Sequence, residues 1–138
     1  MHAYMALLLL LASLIPGPAR ADVIVSEDSD WRYFKGLTEA SAPDPGAWRL
    51  ADFNDASWSI GRGPFYYEDS SGYSGNTALT DMRGGYTCVF LRRAFTVTNP
   101  AGLQELTLYL QTDDGCLVWL NGTNVARVNM PDGEPLYN

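Results

Sequence analysis

The sequence predicts an all-β fold, an antiparallel sandwich or barrel, on three observations. Helical periodicity is hard to find after residue 21, short runs of alternating apolar and polar residues recur, and turn residues punctuate them about every ten positions.

Trp31 to Phe34 and Pro64 to Tyr67 are short strand candidates, both rich in aromatic residues that suit a half-buried pleated surface. Between them, Thr38 to Ala47 is rich in Pro, Ala and Gly and reads as an irregular surface connection. Glu68 to Gly85 is rich in Ser, Gly and Asp. It is long for a structureless loop in a compact domain, which makes it a candidate binding loop. Tyr86 to Val97 has the β-branched and aromatic content of one extended strand, closed by Asn99-Pro100.

The clearest strand is Leu106 to Gln111, where the three leucines share one face and Thr107, Tyr109 and Gln111 the other. Asp113-Asp114-Gly115 supplies a turn, so this strand and Cys116 to Leu120 are expected to pair as a hairpin. Asn121-Gly122 is the strongest two-residue hairpin signal, because a type I′ turn needs positive φ at both central positions. Val125 to Val128 is then the returning strand. Asn121-Gly122-Thr123 is also a glycosylation sequon, and the turn is taken as its role.

Residues 1–21 have the layout of a secretory signal peptide, with an apolar run from Met5 to Ile15 and Ala19-Arg20-Ala21 before cleavage at Asp22. That run is too short for a membrane span, which needs about 20 apolar residues. The mature domain is expected to cover 22–138, and losing Arg20 leaves eight basic against sixteen acidic side chains, a charge of −8. Nucleic acid and anionic membrane surfaces are poor partners for such a chain, since both call for basic patches. A secreted or extracytoplasmic location is expected. In that oxidising compartment the pair Cys88 and Cys116 favours a disulfide, and two buried thiols on neighbouring strands are the alternative.

His2 is the only histidine and departs with the leader, which removes Ser-His-Asp, Cys-His and histidine-bearing metal sites. Three acid pairs remain, Asp52 with Asp55, Glu68 with Asp69, and Asp113 with Asp114, and a glycosidase needs only two suitably spaced carboxyls. All three fall in predicted turns, where Asp side chains hydrogen-bond their own backbone, so no catalytic residue is assigned. Asp52, Asn54 and Asp55 have the hard oxygen chemistry of a calcium site, the one cofactor considered. Sugars stack their apolar faces on aromatic rings, and Phe65-Tyr66-Tyr67 cannot all point inward in a strand. Tyr66, Tyr67 and Tyr73 are therefore the candidate glycan contacts, with Asp113 and Asp114 as candidate polar partners and Tyr109 a further exposed ring. Trp31, Trp48, Trp58 and Trp119 are expected to fill the core.

Trp48, Asp52-Phe53-Asn54-Asp55-Ala56-Ser57-Trp58, Gly61 and Gly63-Pro64-Phe65-Tyr66-Tyr67 together resemble the opening of galactose-binding-like jelly-roll domains. Thr77 to Arg83, Val89 to Phe95, Asp113 to Gly122 and Val125 to Pro131 continue the likeness, so that it spans Trp31 to Pro131. The resemblance implies an antiparallel β-sandwich of eight or nine strands in an accessory role. Such modules are similar to the sugar-binding domains beside glycoside hydrolases, and to sandwich units of large secreted bacterial proteins with lamin-tail or spore-coat-kinase-like domains. Domains of this kind continue past the Asn-Gly hairpin, so 22–138 is expected to be an incomplete domain lacking its last strands, with open sheet edges. The expected function is a non-catalytic carbohydrate-binding accessory module with a glycan and other domains of a larger protein as partners. An architectural domain without a sugar ligand, or the leading domain of a secreted hydrolase, are the alternatives.

Overall fold

The structure is a computed structural model that describes residues 22–67 and 74–137. The expected leader, and Glu68, Asp69 and Tyr73 of the expected binding loop, lie outside the described residues. Within them the regular structure is strand, apart from two single 3₁₀ turns at Ala47–Arg49 and Pro100–Gly102, so the fold is all-β. The strands are β1 (Asp30–Lys35), β2 (Ser59–Arg62), β3 (Phe65–Tyr66), β4 (Thr77–Ala78), β5 (Val89–Arg92), β6 (Cys116–Leu120) and β7 (Thr123–Val128). They form an antiparallel sheet in the order β2-β1-β5, an antiparallel hairpin β6-β7 and a two-residue parallel pair β3-β4. No helix of the described residues is long and apolar enough to cross a membrane.

The central strand β1 separates two environments because its side chains alternate. Phe34 and its cross-strand partner Phe90 face an aromatic cluster whose buried members are Trp48, Trp58 and Ala40, with Phe53 and Trp119 packed at its edge. Trp48 is the hub, with ring centroids 6.3 Å from Trp58, 5.2 Å from Phe90 and 5.3 Å from Trp119. Each tilted or edge-on aromatic pair adds roughly 0.5–1.5 kcal/mol beyond the area it buries. On the opposite face Tyr33 meets Phe65 edge-on at 5.4 Å, so β3 lies over the sheet there. Gly61 makes that approach feasible, since a Cβ would come within 2.8 Å of the Phe65 ring and of Thr77 Oγ1.

The Asp52–Trp58 segment folds as a tight turn, with Trp58 N–H donating to the Asp55 carbonyl at 2.9 Å and Ala56 N–H to Asn54 Oδ1 at 3.1 Å. Arg92 fastens this turn to the sheet. Its Nε donates to Asp55 Oδ2 at 2.9 Å, and its other nitrogens reach the carbonyls of Trp48, Leu50 and Phe53. The guanidinium also lies 5.2 Å from the Phe53 ring centroid.

The β6-β7 hairpin turns at Asn121 and Gly122 with φ of 50° and 84°, the positive pair that a type I′ turn requires. A bulge at Val125 shifts the register between Val118 and Trp119, and Asn124 Nδ2 bridges it by donating to the carbonyls of Val118 and Ala126. Bulges re-aim side chains; here Trp119 lies on Trp48 and beneath Arg49, whose guanidinium carbon is 4.1 Å from its ring centroid.

Several expectations are corrected. Leu106 to Gln111 carries the cleanest alternation, yet it pairs with no strand among the described residues, and Leu108 and Tyr109 are 51% and 90% exposed. The expected hairpin with Cys116–Leu120 does not form because the 113–115 turn is tied to the far side of β6. Asn129 Nδ2 donates to the Asp114 carbonyl at 2.9 Å, and Gly115 packs on the backbone of Val128 and Asn129. Tyr86 to Val97 is not one strand; only Val89–Arg92 pairs. The ladder stops where the Asp30 carbonyl, next in line on β1, accepts from the Arg93 guanidinium instead of a β5 amide. Strands β2 and β4 were not expected, and the parallel pairing of β3 with β4 departs from a wholly antiparallel scheme.

Candidate functional site

Strand β3 sorts the three consecutive rings of the expected glycan platform. Phe65 turns inward onto Tyr33, Tyr66 is half-buried beside Gly75, and Tyr67 points out with 42% of its surface exposed. The segment after β4 is folded against the end of β3, for Leu79 N–H donates to the Tyr66 carbonyl at 2.8 Å. Successive turns then place Arg83 beside Tyr67, where its Nε donates to the phenol oxygen at 3.0 Å and its guanidinium carbon lies 6.0 Å from the ring centroid. An aromatic face and a guanidinium therefore share one stretch of surface.

The same loop builds a polar cluster against the end of β1. Lys35 Nζ donates to Asp81 Oδ2 at 2.6 Å, Tyr86 Oη donates to Asp81 Oδ1 at 3.0 Å, and the ammonium sits 5.7 Å from the Tyr86 ring centroid. The hydrogen bond from Lys35, helped by that from Tyr86, holds the Asp81 carboxyl below its ordinary value of 3.8. Burial, and then the Asp81 hydrogen bond, pushes the Tyr86 phenol up from 10.0 to about 12. The lowered Asp81 value stabilises the fold above pH 3.8 and is lost as pH falls further, whereas the raised Tyr86 value is fully stabilising below pH 10 and lost as pH approaches about 12. In a spectrophotometric titration one tyrosine is thus expected to ionise well after the exposed ones. Asp81→Asn is expected to bring it only part of the way back, because burial is the larger cause; a Tyr86 that titrates normally in the native protein contradicts the arrangement.

The other candidates are placed elsewhere and are engaged locally. Asp113 and Asp114 form an exposed turn in which Asp114 adopts φ 67° and its N–H donates to Asp113 Oδ1 at 3.0 Å. Tyr109 is fully open to solvent on an unpaired segment. Around the residues expected for calcium, Asp55 is engaged by Arg92 at 2.9 Å with Arg32 at 4.0 Å, and Asn54 caps the turn. Two guanidiniums beside that carboxylate oppose a cation electrostatically. Among the described residues no group of three His, Cys, Asp or Glu side chains converges as a metal site.

Cys88 and Cys116, the pair expected to form a disulfide, are free thiols in this structure. Cys88 packs on Gly36 at the end of β1 and its Sγ donates to the Tyr137 carbonyl at 3.1 Å, while Cys116 opens β6, which among the described residues pairs only with β7. Burial, with the nearby Glu39 charge, raises the Cys88 pKa and keeps it a protonated thiol.

Sequence reasoning missed Lys35, Asp81, Arg83 and Tyr86. Lys35 and Asp81 are 46 residues apart, and no local pattern marks such a pair. Compared with protein-family models, with curated proteins and with solved structures, the chain matches none.

Proposed function

We propose that this chain is a non-catalytic carbohydrate-binding accessory module of a secreted protein, a galactose-binding-like jelly-roll domain working beside other domains. The observation that carries the reading is the exposed Tyr67 ring with Arg83 bonded to its hydroxyl at 3.0 Å. A ring held in place loses little conformational freedom on stacking its exposed face against a sugar. A glycan array is expected to give hits for the wild-type protein that weaken at least tenfold in Tyr67→Ala, while the circular dichroism stays unchanged. Silence across the array overturns the reading.

A second reading, an architectural domain that braces its neighbours, is favoured by a different observation. Leu106, Leu108 and Leu110 are 44–51% exposed on a segment without a strand partner among the described residues. Apolar rows of this kind are characteristic of surfaces that pack against other protein.

A further inference from the structure

The geometry points to a second sugar-binding subsite, a groove at the mouth of the β1-β2 ladder that holds one neutral pyranose ring. This inference rests on the carbohydrate-binding reading and adds a site to it. The β1-β2 pairing ends at Tyr33 and Ser59, whereas β1 runs on to Lys35 in its ladder with β5. Past Tyr33, then, one edge of β1 is uncovered, and the chain leading into β2 diverges from it. A groove of about 260 Å³ opens there. Trp58, 5% exposed, and Phe34 line its interior; Tyr33 and Leu37, the latter 58% exposed, line its sides; Ser57 and Ser59 lie along the diverging segment.

Some polar groups of this groove face outward, whereas the Lys35 ammonium, the Lys35 carbonyl and the Trp58 carbonyl are engaged by Asp81, Leu37 and Arg32. Neither serine hydroxyl makes a hydrogen bond among the described residues. Gly36 N–H donates to the Cys88 carbonyl on the β5 side at 2.9 Å, so strand alternation turns the Lys35 N–H toward the open edge. Apolar side chains beside a few solvent-facing hydroxyl and amide groups are the features that recognise a sugar. The volume falls below the roughly 300–1,000 Å³ of sites for larger ligands, which restricts the occupant to a single ring.

Charge restricts it further. Lys35 is the one ionic residue of the groove lining, and its ammonium is bound to Asp81 at 2.6 Å, so no uncompensated charge faces the ligand. The chain as a whole is acidic, with a net charge of −7, and repels uronates and sialic acids. A neutral hexose fits both facts.

The test is a titration of ¹⁵N-labelled protein with methyl glycosides of glucose, galactose and mannose, and with methyl glucuronide as the charged comparison. Saturable shifts are expected at the amides of Lys35, Leu37, Ser57 and Ser59 with at least one neutral glycoside. They should persist in Tyr67→Ala and weaken at least tenfold in Ser57→Trp, which fills the groove from an exposed position. The wild-type shift map needs no variant, so the outcome holds even if Ser57→Trp folds poorly. Shifts confined to the surroundings of Tyr67 and Arg83 overturn the groove and leave the proposed function standing. Groove shifts with a silent Tyr67 surface leave the groove and carbohydrate binding standing and overturn Tyr67 as a sugar contact. No shift at the groove with any neutral glycoside, or equal binding of the glucuronide, sinks the subsite as described.

Discussion

Arg92→Ala is expected to lower the unfolding free energy by about 2–4 kcal/mol, read as a fall in Tm of roughly 10 °C or more. One side chain holds the Asp55 carboxylate and reaches three carbonyls, of Trp48, Leu50 and Phe53. Truncation leaves those acceptors without their donor and Asp55 with only Arg32, 4.0 Å away. The side chains of Arg92 and Asp55 are 15% and 28% exposed, so water enters and the full cost of breaking a buried ion pair, about 3–5 kcal/mol, is discounted. Arg92→Lys separates charge from geometry. An ammonium keeps the attraction to Asp55 but cannot spread donors over several acceptors as a planar guanidinium does, so it should recover less than half of the loss. Urea unfolding of the three proteins decides the matter, and an alanine variant within about 0.5 kcal/mol of wild type would remove Arg92 from its place as the clamp.

Legibility from sequence follows the range of the interaction. The β6-β7 hairpin was readable because its information is local: Asn121-Gly122 sets the backbone, and Leu120 and Trp119 pair with Thr123 and Asn124 beside it, before the bulge at Val125. The same holds for β1, whose aromatic residues announce a half-buried strand. Leu106 to Gln111 is the counterexample, a segment with clean alternation and no strand partner among the described residues. Alternation reports that a segment could cover one apolar face, whereas strand formation depends on a neighbour, and the turn at Asp113 and Asp114 is fastened to the end of β7 instead. Strands β2 and β4 escaped notice for the opposite reason. Ser59-Ile60-Gly61-Arg62 and Thr77-Ala78 carry little strand propensity and pair through long-range ladders and close glycine packing.

Ionic side chains were the least legible part of the candidate site. Asp55 looked like a cation ligand because hard oxygen donors cluster around it in sequence, yet Arg92 arrives from 37 residues away and takes its charge. In the same way Arg83 reaches Tyr67 across 16 residues of chain and Lys35 reaches Asp81 across 46. The aromatic half of the site was foreseeable from strand alternation alone, since one ring of Phe65-Tyr66-Tyr67 had to face solvent. Which polar group would accompany it is a property of how β3, β4 and β1 are brought together.

Trp48→Ala is expected to cost about 3–5 kcal/mol, the usual penalty for emptying a large aromatic site in a core. Its distribution over the molecule is the sharper test. Trp48 joins the sheet through Phe90, the Asp52–Trp58 turn through Trp58 and the β6-β7 hairpin through Trp119. The hairpin's other contacts with this region, Arg49 over Trp119 and Leu50 against Gly122, come from the two residues that follow. Removing the indole therefore detaches the hairpin from its main support while the β2-β1-β5 hydrogen bonds remain. Amide exchange should accelerate more in β6 and β7 than in β1 and β5, since separate cooperative units open with separate free energies. Trp48→Phe should restore much of the loss, because the Trp48 indole nitrogen is buried without a hydrogen-bond partner and its removal forfeits none. Equal acceleration in every strand would mean that the hairpin and the sheet unfold as one unit, and that Trp48 is one core residue among several and not the link between them.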